Sequence, residues 1–397
     1  MSAASPGAGG LCFVNARLSG SEATTLRIAA SRIAGVGTAP KPSDRVIDLR
    51  GGRILPGLIN AHDHLQLNGY EPLKYRDAYA NASQWIHDVT SRRDSDPAVL
   101  AGRAAPRRTR QLHGGLKNLL SGVTSVAHHD PLHEDLFEEG FPTHVVRQLG
   151  WSHSLHIDGA DAVRTALRRT PARWPWVIHA AEGTDIEAAG EFDTLDVLGC
   201  ITANTLLVHG VALTPAQQER MARAGAALIW CPASNLNLFG RTAEVSALAS
   251  SGRVALGTDS RMTGSRDLLA ELRIARQVSG WREPQLESLV TTQAARLLQL
   301  DDRGALRPGY RADLIVLPAE AALHETARAD LRLVMREGRL LIGDPDCMLA
   351  AEPATDWRPV QLDGTSKLMD PDLAQCISQA GVREPGLEFR HAQGRAA

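Results

Sequence analysis

The chain has 397 residues, 43% of them hydrophobic and 22% charged, with a formal net charge of -2. That length allows a large core, or one α/β barrel of about 250 residues with additions, and the near-neutral balance offers no broad electrostatic surface for nucleic acid or membrane. Cys12, Cys200, Cys231, Cys347 and Cys376 are scattered and form no Cys-X-X-Cys pair, which argues against a disulfide framework or a zinc ribbon and fits a reducing cytoplasm.

Residues 1–10 combine Ser, Ala, Pro and Gly and are expected to be mobile. They lack a basic stretch followed by a long apolar one, so neither a signal peptide nor a membrane span is expected. Short strands are expected at 11–18, 25–30 and 32–36, separated by Gly, Ser and Asn turns. From about Leu58 to Leu300 the pattern changes, and apolar runs alternate with helical segments. Strands are expected at 57–64, 122–128, 145–149, 151–156, 176–181, 205–209, 226–230 and 254–258. Helices are expected at 98–120, 215–224, 265–279 and 284–298. Such alternation implies a parallel sheet, and eight strands are what a (β/α)8 barrel needs, although the third and fourth are too close for a helix between them. Beyond Leu300, strand character returns at 309–317 and 331–342, which suggests a small sheet domain built from both chain ends. No element is assigned over the Pro-, Gly- and Asp-rich residues from 346 to 397.

The chemistry concentrates at strand ends. The first strand closes with His62-Asp63-His64. Alternate strand side chains share a side, so the two imidazoles point the same way and can chelate one metal ion. Later runs end at His179, followed by Glu182, and at His209 and Asp259. In a parallel barrel all strand C-termini open on one face, where these residues would converge. His62, His64, His179 and Asp259 make an N3O set suited to Zn2+, and also to Fe2+, Mn2+ or Co2+. Metal-bound water has a pKa near ~7 and supplies hydroxide at neutral pH. Each residue alone has a plainer explanation. Asp259 could cap the next helix, Glu182 could be a solvated carboxylate at a helix start, and a single strand-end His is usually a hydrogen-bonded surface group. Their recurrence in one alternating pattern sets them apart.

Taken with Leu55-Pro-Gly-Leu-Ile-Asn-Ala-His62-Asp-His64, Leu120-Ser-Gly-Val-Thr-Ser, Cys231-Pro-Ala-Ser-Asn235-Leu, Leu256-Gly-Thr-Asp259-Ser and Gly309-Tyr-Arg-Ala-Asp313-Leu, the pattern resembles the amidohydrolase superfamily over roughly Ile54 to Gly343. It is most similar to the branch of cytosine, guanine and S-adenosylhomocysteine deaminases and triazine hydrolases. The resemblance implies a distorted (β/α)8 barrel (57–304) flanked by a small β-sandwich made from both termini (11–56 and 305–345), with 346–397 as a C-terminal extension. It implies one divalent metal ion, Zn2+ in preference to Fe2+ or Mn2+, held by His62, His64, His179 and Asp259. Asp259 would also accept a proton from the attacking water, Glu182 would shuttle protons, and His209 would orient water or substrate. Binuclear relatives bridge two metals with a carboxylated Lys or a Glu on the fourth strand. This chain has no Lys between Lys117 and Lys367, so a Lys bridge from the later strands is excluded and a mononuclear site is expected.

The loop after His64 departs from the family pattern. Tyr70, Lys74, Tyr75 and Arg76 could grip an anionic or ring-bearing substrate, or form an ordinary surface loop. The second strand ends in His128-His129-Asp130, where at most one imidazole faces the mouth. The candidate substrate contacts are therefore His128, His129, Tyr75, Arg76 and Trp85. Asn235 is expected to order a loop. The function expected is hydrolytic deamination of a purine, pyrimidine, pterin or nucleoside-like heterocycle by a cytoplasmic enzyme. Its partner is a small molecule, without nucleic acid or membrane, and a homo-oligomer is left open. The alternatives are hydrolysis of a cyclic amide, a formimino or guanidino carbon or a carbon–halogen bond at the same site, and, remotely, a noncatalytic barrel scaffold.

Overall fold

The computed structural model describes residues 9–390. Residues 1–8, most of the stretch expected to be mobile, lie outside the described residues. Gly10 lies inside them and is tied down: its N–H donates to Asp44 Oδ1 (3.0 Å) and its carbonyl accepts from Arg45 N (2.8 Å).

The middle of the chain builds two parallel sheets. One joins Leu58–Asp63, Val123–His128 and His144–Val145; the other joins Gly150–Ser154, Trp176–Ala180, Thr205–His209, Ala227–Trp230 and Val254–Leu256 in sequence order. Most of these strands are buried on both faces. That is why they read as continuous apolar runs, such as Trp176-Val-Ile and Leu206-Leu-Val, rather than as alternation. The two sheets meet beside the candidate ligands. Asp63 and Asp259 form a parallel bridge, Thr258 N donates to His62 O (3.0 Å), and His64 N donates to Asp259 O (2.9 Å). Gly257 permits this approach, because a Cβ there would stand 2.6 Å from His62 Cβ.

The helices follow the expected periodicity with two interruptions. The stretch 98–120 divides into Pro97–Ala104 and Arg107–Leu120. Pro106 cannot continue the backbone ladder, and it holds Ala105 extended. The stretch 284–298 divides into Glu283–Leu289 and Thr292–Leu297. The 265–279 helix begins at Leu268, where the Asp267 side chain caps Ala270 N (2.9 Å). No helix separates His144–Val145 from Gly150–Ser154.

The chain ends form two further sheets. Arg32–Val36, Leu26–Ala29, Leu11–Val14 and Arg45–Asp48 make one of four strands, and Arg17–Leu18 and Arg53–Pro56 join six later strands in another of eight. Phe13, Leu26 and Ile28 of the first share an apolar core with Ile54, Leu314 and Leu333 of the second. Three of the later strands, Arg358–Leu362, Thr365–Met369 and Leu387–Phe389, come from the extension to which the sequence assigned nothing. Its first two strands form a hairpin turned at Asp363-Gly364, both with positive φ (47° and 83°). That dipeptide is a strong short-range hairpin signal in its own right. Among the described residues no helix is long and apolar enough to cross a membrane.

Candidate metal centre and active site

The strand ends bring four donors to one point. His62 Nε2 and His64 Nε2 each stand 3.3 Å from His179 Nε2, and each stands 3.7 Å from Asp259 Oδ1. Donors arranged tetrahedrally on bonds of about 2.1 Å lie about 3.4 Å apart, so this set fits one divalent cation. The remaining polar atoms are occupied in a way that aims the donors inward. His64 Nδ1 meets Asp130 Oδ2 (2.6 Å) and His179 Nδ1 donates to the His153 carbonyl (2.9 Å). Each partner fixes the tautomer that leaves Nε2 free as a ligand. Asp259 Oδ2 accepts from Ser234 Oγ (2.7 Å) and Thr263 Oγ1 (2.6 Å), which turns Oδ1 to the imidazoles. Asp259 does not cap the following helix; Asp267 does.

Burial and neighbouring charge set opposite protonation states in the cluster. Burial drives His62 down to about 4 despite its contact with Asp259. Burial also opposes charge on His64, but Asp130, Asp259 and Asp63 outweigh it and raise the group to about 9. His129 supplies a further buried imidazole within 4.8 Å of His62, His64 and His179, and its Nε2 meets the Ser152 carbonyl (2.8 Å).

Beside the donors, His209 Nε2 lies 3.5 Å from Glu182 Oε1. His209 Nδ1 donates to Asn235 Oδ1 (2.9 Å), so its Nε2 is the acceptor that faces the carboxyl. Burial, then Asp259 and Glu191, pushes Glu182 well above the usual carboxylate range, while burial lowers His209. Burial thus favours the neutral form of both the carboxyl and the imidazole. The Glu182 loop is fixed by its backbone. Ala82 N donates to the Glu182 carbonyl (2.9 Å), and Gly183 lies so near Ala80 that a Cβ would meet the Ala80 carbonyl at 2.5 Å. Ala181, His209 and Asp259 all have positive φ (52°, 74° and 59°). For non-glycine residues that costs about 1–3 kcal/mol each, and all three stand where side chains converge on the cavity.

That cavity, of about 120 Å³, has His64, His179, Glu182, His209 and Asp259 against apolar walls that include Trp85 and Leu238. Trp85 lines it with its indole pinned, Nε1 donating to Leu73 O (2.9 Å). The other candidate contacts are engaged elsewhere. Arg76 pairs with Asp88 (2.6 and 2.9 Å), Tyr75 Oη donates to Asp96 (3.0 Å), and the Lys74 ammonium donates to the Asn237 carbonyl. Tyr70 packs with Leu73, Val99 and Met262. His128 turns its Nδ1 to Leu65 N (3.3 Å), away from the cavity.

Several contributors were not singled out from sequence. Asp130 follows the His128-His129 pair directly and was legible as its carboxylate neighbour. Ser234 lies in the Cys231-Pro-Ala-Ser segment, and its partner depends on the fold; Asn235 beside it, expected to order a loop, sits in the Pro232–Phe239 helix and orients His209. Lys117 is fully buried and bonds Asp63 Oδ2 (3.1 Å) and Thr258 Oγ1 (3.0 Å), behind the ligand-bearing strand ends.

Residues 174–341 match the model of the amidohydrolase family. A 5-methylthioadenosine/S-adenosylhomocysteine deaminase of Halobacterium salinarum is 25% identical over 397 aligned residues, covering 84% of this chain and 91% of that protein. An adenosine deaminase from Xanthomonas campestris, solved with bound zinc, superposes with a TM-score of 0.73 at 16% identity, covering 94% of this chain and 97% of its own. The atrazine chlorohydrolase of Arthrobacter aurescens TC1, complexed with zinc, gives a TM-score of 0.69 at 18% identity over 83% of this chain and 95% of that one.

Proposed function

We infer, from the match of residues 174–341 to the amidohydrolase family and from the donor set around His179, that the chain is a metal-dependent hydrolytic deaminase of an amino-substituted, nucleoside-like N-heterocycle. The observation that carries the reading is the Glu182–His209 pair facing the same cavity as the four converging donors. The Halobacterium relative, named for deaminating adenine nucleosides, supports the choice of substrate class.

His62, His64, His179 and Asp259 would hold one divalent ion, with zinc favoured by the chemistry of three imidazoles and a carboxylate. Such an ion supplies a Lewis acid and lowers the pKa of water at the site to near ~7. Asp259 Oδ1, held ionised by His62, His209 and His64 against the effect of its burial, accepts a proton from the attacking water. Glu182, protonated before reaction, gives its proton to the ring nitrogen beside the amino-bearing carbon. The ring then accepts the electron pair displaced as the water oxygen bonds to that carbon. His209, oriented by Asn235, presents its unprotonated Nε2 to the attacking water and orients it by accepting a hydrogen bond. Asp259 passes its proton to the amino group, which completes the leaving group. The carbon–nitrogen bond breaks and ammonia departs as the hydroxyl proton passes to the now ionised Glu182, leaving a carbonyl in the ring and both carboxyl groups as they began. Positioned proton transfers of this kind contribute about 10²–10⁴-fold in rate.

The two parallel sheets are read as one distorted (β/α)8 barrel over 57–304, supported by the backbone bonds between His62–His64 and Thr258–Asp259. The terminal sheets are read as one β-sandwich from 11–56 and 305–345, extended by the strands from 346 onward and supported by the shared apolar core. A cytoplasmic location is supported by five free cysteines, four of them buried.

The test is a panel of amino-substituted purines, pyrimidines, pterins and their nucleosides, with ammonia release followed on metal-loaded protein. Ammonia in step with loss of an adenine nucleoside supports the reading. Halide release from a chlorinated heterocycle, with no ammonia from any amino compound, overturns it.

A further inference from the structure

The residues after Asp259 turn back on themselves and serve the site. Gly264 N donates to the Ser260 carbonyl (2.7 Å), Thr263 Oγ1 donates to Asp259 Oδ2 (2.6 Å), and Ser260 and Thr263 both line the site cavity. Ser234 is the other donor to Asp259 Oδ2, so the position of Thr263 helps decide where Oδ1 points. Leu73 N and Asn237 Nδ2 hold the middle of the turn, at the Met262 and Thr263 carbonyls (both 2.9 Å). Arg261 holds its two ends. The Arg261 Nε donates to the Arg266 carbonyl (2.8 Å) and closes the turn across Thr263. Its backbone N donates to Asn68 Oδ1 (3.2 Å), and Asn68 Nδ2 donates to Asp63 Oδ1 (2.7 Å), between His62 and His64.

The Arg261 guanidinium is set in turn by the C-terminal extension. Both terminal nitrogens reach Glu384 (2.8 and 2.7 Å), whose side chain is wholly excluded from solvent. A two-point pair of this kind fixes direction as well as distance, and the nitrogen it leaves over is the one that closes the turn. The same carboxylate meets His113 Nε2 (2.8 Å) and accepts from Arg328. The extension does not depend on Arg261 to stay docked. Arg328 also pairs with Asp363 at two points (2.7 and 2.9 Å), and Arg266 pairs with Asp363 (2.6 Å). Nor does Glu384 depend on it for charge balance, because Arg328 faces it as well. An anchor for the extension alone would not need a cation that also spans the Asp259 turn.

We propose that Arg261 and Glu384 are positioning residues for the reaction: through them the C-terminal extension sets the turn at 260–266, and with it the Thr263 hydroxyl that aims the Asp259 carboxylate. Neither side chain lines the site cavity, so both act through the turn. This rests on the deaminase reading and on Asp259 as a ligand, and adds to them a part for the extension.

Arg261→Met tests it, because Glu384 keeps Arg328 and no buried carboxylate is stranded. With 5'-methylthioadenosine and zinc-loaded protein, kcat should fall by about tenfold or more while KM stays within about twofold, the split expected when ligand-orienting groups are disturbed. Arg261→Lys, which can keep one bond to Glu384, should recover part of the rate. The visible absorption bands of the cobalt-substituted protein should shift in Arg261→Met. Unaltered kcat and cobalt bands in that variant would overturn the proposal. Hydrogen exchange on the metal-free proteins reads the turn without the reaction. In Arg261→Met it should quicken over 259–266 and stay as it was over 358–369. Unaltered exchange over 259–266, or a rise spread evenly over the chain, would overturn the proposal, the latter by reducing the pair to general stabilisation. If the unaltered protein releases no ammonia from 5'-methylthioadenosine, that result counts against the deaminase reading, and the exchange pattern decides the proposal by itself.

Discussion

Lys117 Nζ stands 3.1 Å from Asp63 Oδ2, and both side chains are wholly excluded from solvent. The same ammonium bonds Thr258 Oγ1, and Asn60, Asn68 and Asn118 supply further donors to the Asp63 carboxylate. Asp63 lies between two candidate ligands, and Thr258 precedes a third. The pair thus ties the strand of His62 and His64 to that of Asp259 from behind. Removing one partner strands a buried charge, which costs about 3–5 kcal/mol, whereas replacing both by apolar groups can be nearly neutral. Lys117→Met should therefore lower the denaturation midpoint sharply and weaken zinc binding. The double variant Asp63→Leu/Lys117→Met should recover part of the stability. Denaturant titration and zinc competition on the purified proteins would check both effects.

Glu182 is the proton donor in the proposed reaction and not a metal ligand. Glu182→Gln should bind metal as the unaltered protein does while losing about 10²–10⁴-fold in kcat. Metal content by elemental analysis, beside the rate, separates the two effects. Near-normal turnover would remove Glu182 from the acid–base role.

The raised pKa of His64 would make metal binding at the proposed site pH-dependent. The metal-free site holds His64 protonated up to about 9, with burial opposing the charge and Asp130 outweighing burial. A metal ligand must be neutral, so binding below that pH displaces a proton. The apparent affinity should rise about tenfold per pH unit between pH 7 and 8.5 and flatten above about 9. Asp130→Asn removes the main charge that raises His64 and should shift the flattening to lower pH. Zinc competition titrations across pH would measure the slope.

Asn235 acts through His209, whose ring it orients by the 2.9 Å bond to Nδ1. Asn235→Leu frees the ring to change tautomer. It should lower kcat more than it raises KM and leave zinc content unchanged. Asn235→Asp, which keeps an acceptor at the same place, should recover part of the rate.

The sequence carried the parallel strands because burial on both faces leaves long apolar runs, as at Leu206-Leu-Val-His209. It carried the donor set because period-two geometry puts His62 and His64 on one side, and because His179, His209 and Asp259 close later runs of the same kind. The groups that orient the donors were harder to see. Ser234 and Thr263 reach Asp259 from separate segments, and Lys117 reaches Asp63 across 54 positions. No local periodicity encodes such pairs. The loop after His64 offered Lys74, Tyr75 and Arg76 as substrate contacts because its composition is polar and aromatic. Their partners Asn237, Asp96 and Asp88 lie farther along the chain and take them up first. The extension beyond residue 345 held a readable Asp363-Gly364 turn, but its strands are short and polar on one side, so the flanking runs gave little apolar signal.

The central claim is one catalytic metal ion held by His62, His64, His179 and Asp259. The most direct measurement is deaminase activity against equivalents of zinc returned to chelator-stripped protein, with ammonia as the readout. The account predicts negligible activity without metal and a linear rise that ends at one equivalent. Full activity in the stripped protein, or a rise that continues to two equivalents, would contradict it.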